Sequence, residues 1–330
     1  MASTSAPSST PADVECIAST RALGKVHRGG RVALDQITLD LDPGSIAALI
    51  GANGSGKTTL LRLLAGRTAA TAGSVRVLGR DPVVHRRELA AQVAYVSQDV
   101  ALDPEMTGAE TLALFAALYR VALAPALALA TSMGLGEHLA SEIATYSGGL
   151  RRRLHLAAGM LHAPMLLLLD EPTAGLDPGG ADQLWDLLAR GAARGQTTLI
   201  ATHDLARVER SAHRVLFLDQ GRLLAAGAPR ALVSAHAHAQ LLVTLRALPP
   251  ADPLTRLAHL PGVTRVRHDQ HRLAIDADHA DRHALIAELA ALPLEIADLN
   301  WREPDLAQAW ESLTGRDATA LFATHGTGLA

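Results

Sequence analysis

The chain has 330 residues, 48% of them hydrophobic, which is enough to build a large domain and a smaller one around buried cores. Its 30 Lys and Arg residues against 33 Asp and Glu residues give a net charge of −3, which argues against broad electrostatic binding of nucleic acid or an anionic membrane. Aromatic residues make up only 3%, so base-stacking platforms are not expected, and the single cysteine, Cys16, excludes an internal disulfide and favours the reducing cytosol.

The chain begins with a polar, proline-containing stretch, "MASTSAPSSTPA". It has no basic segment leading into an apolar core, so residues 1–12 indicate a disordered tail rather than a secretory signal. The most apolar later stretch, 112–130, contains Arg120 and Pro125 and falls short of the roughly 20 apolar residues that span a bilayer. Any membrane role is therefore expected to depend on another chain.

Strand patterns open the first domain and lead into a glycine-rich loop. Alternating apolar residues over 14–41 predict half-buried strands, and the apolar run "SIAALI" at 45–50 predicts a buried one. "GANGSGKT" follows and matches the phosphate-binding pattern G-x-x-x-x-G-K-[ST], with a helical pattern directly after it. In such a loop the backbone N–H groups surround the β-phosphate, Lys57 neutralises the β and γ charges, and Thr58 offers its hydroxyl to Mg²⁺.

An alanine-rich segment at about 99–160 has helical character and contains "YSGGLRRR" at 146–153. Three arginines in the first turn of a helix oppose its dipole, which favours negative charge at that end. A bound anion, held by backbone N–H groups, the hydroxyl of Ser147 and the glycines, would resolve the conflict. The alternative is an ordinary Ser-capped helix with surface arginines, and this stretch alone leaves both open.

The next buried strand, "MLLLLD", ends in two consecutive acids. Asp170 is placed to hold Mg²⁺ directly or through water, and Glu171 to orient and deprotonate an attacking water; the alternative is a polar strand end that caps the next helix. His203 follows the strand "TTLIAT", where the strand ends of a parallel sheet gather over a ligand. Its imidazole could hydrogen-bond a γ-phosphate and respond to its loss. "RVLFLDQGRLLAAG" then predicts a hairpin that turns at Gln220 and Gly221.

A domain boundary is predicted near 245–253, where adjacent prolines end the preceding element. Beyond it a hairpin at 263–276, a helix at 281–292, a strand at 294–301 and a helix at 303–315 indicate a small α/β unit. The histidines around this region have no spacing that closes a metal ligand set, and solvated surfaces explain them better. They are His236, His238, His268, His271, His279 and His283.

Five motifs, "GANGSGKTT", "VSQD", "YSGGLRRR", "LLLLDEPTAGLDP" and "ATHD", occur in the order and spacing of the ATP-binding subunits of ABC transporters. The resemblance covers about 14–235. It implies an α/β P-loop NTPase fold over 13–244, with a RecA-like core, an antiparallel β subdomain and a helical subdomain, followed by an accessory α/β domain over 245–330. Leu150 and the arginines after it look most like exporter ATPases of the drug-resistance and polysaccharide or lipid type, and "EPDLAQAWESLTGRD" resembles the accessory domain of the drug-resistance group.

The resemblance also implies an ATP site with Mg²⁺. The phosphate loop would bind ATP through Gly51, Asn53, Gly54, Ser55, Gly56, Lys57, Thr58 and Thr59. Mg²⁺ would be held by Thr58, Asp170 and Gln98, and hydrolysis would depend on Glu171, His203 and Gln98. Gln98 resembles the glutamine that reports to the membrane subunit; an ordinary strand-end amide is the alternative.

A second subunit would complete the site, since Ser147, Gly148 and Gly149 resemble residues that bind the γ-phosphate of ATP held by a partner. Asp177 would lie at the dimer seam. Members of the family usually stack adenine on an aromatic residue, but this chain offers only His27 at that place. Weak stacking on His27 and a solvent-exposed loop that leaves adenine poorly held both remain open.

The resemblance implies a cytosolic ATPase that works as a dimer beneath separate membrane subunits, as an exporter, with no nucleic-acid partner. An importer ATPase is one alternative, although it would not be expected to carry this tail. A non-transport ATPase of translation or DNA repair is another, but such proteins contain paired ATPases, long coiled coils or zinc modules, which the sequence lacks. A regulator that binds ATP without turnover is disfavoured because Glu171 and His203 are both retained.

Overall fold

The computed structural model describes residues 16–248, 251–277, 282–316, 318 and 321. The predicted tail at 1–12 lies outside them. The chain forms two compact units that divide between Ala228 and Pro229. Within the described residues no helix combines the length and the apolar character needed to cross a membrane.

The strands of the first unit form a six-stranded and a three-stranded sheet. In chain order they are β1 (Ala18–Val26), β2 (Val32–Leu41), β3 (Ile46–Ile50), β4 (Ala72–Val77), β5 (Val93–Val96), β6 (Leu166–Asp170), β7 (Thr197–Ala201), β8 (Arg214–Asp219) and β9 (Arg222–Gly227). The larger sheet has the order β5-β6-β7-β3-β8-β9, parallel except for the β8–β9 hairpin. Antiparallel β2-β1-β4 forms the smaller sheet. The predicted hairpin at 214–227 is confirmed.

Every residue of β3, β6 and β7 is buried, as expected for parallel strands covered on both faces. Leucines from these strands, from the helix after β3 and from β1 and β2 form one continuous apolar core. Because parallel strands run in the same direction, the carboxyl ends of β3, β6 and β7 meet at one edge of the sheet. That edge positions the site described below.

Seven helices are described in this unit. They are α1 (Lys57–Leu64), α2 (Arg86–Leu89), α3 (Gly108–Tyr119), α4 (Leu123–Ser132), α5 (Gly148–Met160), α6 (Pro178–Ala193) and α7 (Leu205–Ser211). The apolar stretch at 112–130 is split between α3 and α4, because Arg120 ends α3 in a left-handed conformation. Pro125 lies in the first turn of α4, where its missing N–H costs nothing. The predicted helical character of 99–160 is confirmed.

The second unit contains a four-stranded antiparallel sheet with helices. Its elements are α8 (Pro229–His236), β10 (Ala239–Leu245), α9 (Ala251–Ala258), β11 (Val263–Asp269), β12 (Arg272–Ala277), α10 (Arg282–Ala290), β13 (Ile296–Arg302) and α11 (Leu306–Thr314). Along the chain, the elements from β10 to β13 follow the order β-α-β-β-α-β, and within the sheet the strands lie in the order β11-β12-β10-β13. Helix α8 packs on α11. Alternate residues of β10 and β12 pack with α10 in an apolar core of their own.

The division of the chain at Pro229 lies before the boundary predicted at 245. The physical reason is β10, which pairs with β12 and β13 and so joins a sheet whose other strands all follow it in the sequence. Neither β10 nor α9 was predicted, whereas the hairpin, helix, strand and closing helix that follow correspond to β11, β12, α10, β13 and α11. The described residues hold no cluster of three or more His, Cys, Asp or Glu side chains that fits a metal ion, and His279 lies outside them.

Candidate functional site

The loop between β3 and α1 is shaped by its glycines. Gly56 has a φ of 111°, and a Cβ there would lie 2.5 Å from the carbonyl oxygen of Ala33, so both conformation and space require glycine. Gly56 is also the N-cap of α1 and provides no side-chain cap. The Ser55 hydroxyl is buried, with no hydrogen-bond partner among the described residues. The loop therefore leaves a helix N-terminus and a buried hydroxyl available for an anion.

Lys57 opens α1 and is 8% exposed. Its Nζ donates to the carbonyl oxygens of Gly51 at 2.6 Å and Ala52 at 3.3 Å. Burial lowers the pKa of Lys57, and the carboxylates of Glu171 and Asp170 oppose that shift. An ammonium held by neutral carbonyls in a buried loop is poorly compensated, so phosphate oxygens are better partners for it than those it has.

Asp170 is the last residue of β6 and is 1% exposed. Its carboxylate accepts from the Thr58 hydroxyl at 3.1 Å and from the Tyr95 hydroxyl at 3.2 Å. Burial raises the pKa of Asp170, while these two hydrogen bonds act in the opposite direction. Because Thr58 and Asp170 bring a hydroxyl and a carboxylate oxygen within hydrogen-bond distance, they fit the hard oxygen ligands that Mg²⁺ prefers.

Glu171 has a φ of 48°, a left-handed conformation that is uncommon for a side-chain-bearing residue and that stores strain at functional sites. Its backbone N–H donates to the carbonyl of Ala201, which fixes it at the sheet edge. Glu171 Oε2 lies 2.9 Å from His203 Nδ1. This hydrogen bond raises the pKa of His203, and burial opposes it. His203, which follows the neighbouring strand β7, thus orients the carboxylate of Glu171.

These side chains surround one open cavity of about 230 Å³. The predicted site residues in its lining are His27, Asn53, Gly54, Gly56, Lys57, Thr58, Thr59, Gln98, Asp170 and Glu171. His27 lies at the exposed rim, with Nε2 3.5 Å from the hydroxyl of Thr59. Arg31 and Arg62 also line the cavity and were not predicted. Arg62 lies one helical turn after Thr58, and that i, i+4 spacing is the signal that could have identified it.

The region at 146–153 does not line this cavity in the described part of the chain. Ser147 is the N-cap of α5, and its hydroxyl accepts from the backbone N–H of Leu150 at 3.2 Å. Nothing lies within 4 Å of the position a Cβ would take on Gly148. Within one chain the Ser-capped helix is therefore present, while an anion at this helix start stays a prediction.

The three arginines of α5 all have partners close by. Arg151 donates to the carbonyl of Tyr146, and Arg153 forms an ion pair with Asp177 at the N-cap of α6. These contacts answer part of the conflict with the helix dipole, because one guanidinium group is paired with a carboxylate and another is hydrogen-bonded to a carbonyl. Asp177 is thereby tied to α5, although it does not line the cavity in the described residues.

Arg152 is the most constrained of the three, being 2% exposed. Its guanidinium donates to five backbone carbonyls at 2.6 to 3.0 Å, those of Ser97, Gln98, Asp170, Glu171 and Pro172. These carbonyls come from the segment after β5 and from the end of β6. Arg152 therefore connects α5 to the segments that carry Gln98 and Glu171, a role that the sequence did not reveal.

Comparison with known proteins gives consistent results. A family model described as "ABC transporter" matches residues 34–174. A daunorubicin resistance ATP-binding protein of Streptomyces coeruleorubidus is 34% identical over 88% of this chain and 93% of its own length. A Nod factor export ATP-binding protein of Paraburkholderia xenovorans is 38% identical over 64% of this chain and 70% of its own length.

Solved structures resemble about two thirds of the chain. One, described as the ATP-binding subunit of an ABC transporter, has a TM-score of 0.62 and 27% identity over 66% of this chain and 92% of its own. Another, a dimeric ATP-binding cassette bound to ADP and phosphate, has a TM-score of 0.59. Its identity to this chain is only 23%, so the similarity supports the fold alone. The predicted α/β P-loop NTPase fold is confirmed.

Proposed function

The chain belongs to the ATP-binding subunits of ABC transporters, and from this premise we propose that it powers export through a separate membrane subunit. Membership makes it an ATPase that binds ATP, as the motifs predicted. Export is the finer proposal, supported by the similarity to drug-resistance and Nod factor export proteins. The observation that carries the proposal is the gathering of Lys57, Thr58, Asp170 and Glu171 around one cavity.

In this proposal the triphosphate lies along the loop between β3 and α1. Lys57 would exchange its carbonyl partners for β- and γ-phosphate oxygens, and the Ser55 hydroxyl would gain the partner it lacks among the described residues. Arg31 and Arg62 add positive charge to the cavity. Weak stacking of adenine on His27 at the rim stays open beside a solvent-exposed arrangement.

Mg²⁺ would be held by Thr58, Asp170 and Gln98, and when bound it would neutralise charge on the β- and γ-phosphates. Glu171 would orient a water and accept its proton, because its carboxylate lies in the same cavity and is not engaged by an arginine or lysine ion pair among the described residues. His203 would position that carboxylate through the 2.9 Å contact and sense the γ-phosphate.

A second ATPase subunit, identical or related, would complete the site in a head-to-tail dimer. Ser147, Gly148 and Gly149 would bind the γ-phosphate of the partner's ATP, and Asp177 would lie at the seam. The open space at Gly148 and the start of a 13-residue helix support this role. Two ATP molecules would close the dimer, and hydrolysis would remove the bridge between the subunits.

The membrane subunit would cover an exposed apolar surface of the first unit. Val84 is 74% exposed and Leu118 69% exposed, and residues close to them in sequence, Pro82 and Tyr119, line one groove. The ATPase would thus lie at the cytoplasmic face of the membrane through its membrane subunits. Closure of the dimer would reach them through the segment that contains Gln98, which Arg152 connects to α5.

The test uses Glu171→Gln, which removes the base but keeps the shape of the side chain. ATP turnover is expected to fall roughly 10²-fold or more, because general-base catalysis is lost. ATP and Mg²⁺ should then trap a dimer of the variant, measured by size-exclusion chromatography. Adding Ser147→Arg in the same background should abolish that dimer while leaving the titration with a fluorescent ATP analogue unchanged.

Two outcomes would contradict the proposal. Unchanged turnover in Glu171→Gln would reject the assignment of the base. A dimer that persists with Ser147→Arg would reject the cross-subunit site, as would a protein that stays monomeric with ATP even alongside its membrane subunit. Export is tested separately, by ATP-driven accumulation in inverted membrane vesicles that contain both subunits.

A further inference from the structure

The second unit contains a cavity of about 570 Å³ that the proposed ATPase function does not use. Its walls come from the end of α8, from β10, β11 and β12, and from α11. A cavity of this volume lies within the range typical of small-molecule sites. Its charged and amide lining includes His236, His238, Arg265, Arg267, Asp276 and Gln308.

The lining carries more positive than negative charge. Three arginines, Arg265, Arg267 and Arg316, stand against two carboxylates, Asp276 and Glu311, before the two histidines are counted. Arg265 and Arg267 are two residues apart on β11, so they extend to the same face of the sheet. An anion is therefore the ligand that the charge of the cavity favours.

The carboxylate of Asp276 is already engaged. It accepts from Arg267 at 3.1 and 3.2 Å and from the side-chain amide of Gln240 at 2.7 Å. This network holds Arg267 at the cavity wall and neutralises one acid. Arg265, which is exposed on the same strand, supplies the positive charge that the network does not balance.

Gln308 provides an independent indication of a ligand. It lies on α11 and is 8% exposed, yet neither its amide oxygen nor its amide nitrogen has a hydrogen-bond partner among the described residues. A buried amide without partners is costly, and such a group in a cavity wall calls for an explanation. A ligand that offers both a donor and an acceptor would satisfy the two atoms at once.

We propose that this cavity binds a small, multiply charged oxyanion, a phosphate or a polycarboxylate, between the β11 arginines and Gln308. Guanidinium groups pair with such oxyanions through charge-assisted, often bidentate hydrogen bonds. A partly protonated phosphate or a hydroxy acid also carries the O–H donor that the oxygen of the Gln308 amide lacks. The site is separate in sequence from the phosphate loop and does not depend on ATP.

The experiment uses the full chain with Lys57→Ala, free of nucleotide and Mg²⁺, so that the phosphate loop contributes little. Inorganic phosphate and citrate are titrated at constant ionic strength by calorimetry, and at least one is expected to bind. Arg265→Gln should weaken that binding roughly tenfold or more, since a charge-assisted hydrogen bond is lost. Arg272→Gln is the matched control, because it removes the same charge from neighbouring β12 outside the cavity lining, and it should change affinity by less than about twofold.

Gln308→Leu keeps the volume of the side chain and removes the amide. The midpoint of thermal unfolding should rise without anion, because the unpartnered amide is gone, and the stabilisation by anion should disappear. A purely structural role for Gln308 would lower the midpoint instead. No binding of either anion up to about 50 mM, or equal losses in Arg265→Gln and Arg272→Gln, would overturn the proposal. Since no variant here is assayed for ATP turnover, that failure would leave the proposed transport function untouched.

Discussion

Two helices of the first unit have glycines where they begin, and their N-terminal ends are capped differently. At α1 the N-cap is Gly56 in a left-handed conformation, without any side-chain cap. At α5 the N-cap is Ser147, whose hydroxyl accepts from the N–H of Leu150. The N-terminus of α1 leaves its backbone N–H groups available to a ligand. The N-terminus of α5 already has one of these groups hydrogen-bonded within its own chain.

The difference continues in the charged groups around each start. Lys57 at α1 is buried with only carbonyl partners, which fits a site that is incomplete until an anion binds. At α5, Arg152 saturates its guanidinium with five carbonyls, and Arg153 is paired with Asp177. The unsatisfied groups around α1 fit a site that a ligand completes within this chain, whereas the arginines of α5 find their partners within the chain and fix the position of that helix.

The largest expected effect is on the α1 side. Lys57→Ala should weaken ATP binding roughly 10²- to 10³-fold, because the phosphates lose a buried positive charge. The free energy of unfolding without nucleotide should not fall, since the hydrogen bonds of Lys57 go only to carbonyls and the cost of burying its charge exceeds the attraction of Glu171 and Asp170. Titration with a fluorescent ATP analogue and urea unfolding measure the two quantities.

Lys25→Ala is the matched control, because Lys25 is partly exposed, donates to the carbonyl of Ala69 and does not line the cavity. It should leave the affinity for ATP within about twofold of the wild-type value. A Lys57→Ala protein that binds ATP normally but unfolds at lower urea would reverse the distinction between the two helix starts.

Arg152→Gln should show the opposite pattern, with stability lost rather than affinity. Several buried carbonyls lose their donor, and a loss of about 2 to 3 kcal/mol in the free energy of unfolding follows. Arg151→Gln removes the same charge one residue away, where one carbonyl is contacted, and should cost about 0.5 kcal/mol. Urea unfolding of both variants checks the difference. Equal losses would show that the five carbonyl contacts of Arg152 do not account for its contribution to the free energy of unfolding.

The phosphate loop and the acids could be predicted because their chemistry is local in sequence. A strand, a loop and a helix lie within a few residues of each other around Lys57, and the buried strand before Asp170 is a continuous apolar run. The hydrogen bond between Glu171 and His203 also follows from two adjacent strands that end at the same edge. Nothing else in the fold is needed to expect these groups together.

The role of Arg152 and the strand β10 could not be predicted in the same way. The carbonyl partners of Arg152 lie about 20 and 55 residues away in sequence, and backbone groups carry no residue signature. The alternation in β10 is clear, but its partners β12 and β13 come later in the chain. The prolines at 249–250 indicated a break, while the strand pairing decided which unit the segment joins.

A smaller effect is expected at the start of α5 itself. Ser147→Ala removes the N-cap and should lower the free energy of unfolding by about 1 kcal/mol, while Ser147→Gly should cost only a few tenths. ATP affinity of the isolated subunit should stay unchanged in both, because Ser147 does not line the cavity in the described residues. Weaker ATP binding by a monomeric Ser147→Ala protein would contradict the separation of the two regions.

The smallest effect concerns the pH dependence of the contact between His203 and Glu171. Because the pKa of His203 is raised in the folded state, its contribution to stability is fully present below the ordinary histidine value and is lost as pH rises through the raised one. The urea midpoint of wild type should therefore exceed that of His203→Asn by more at about pH 5.5 than at about pH 8.5. His213→Asn, with a ring that contacts the backbone of Ile46, serves as the control. A difference that grows with pH would mean that the imidazole is neutral beside Glu171, and the histidine would then hold the carboxylate by hydrogen bonding without charge.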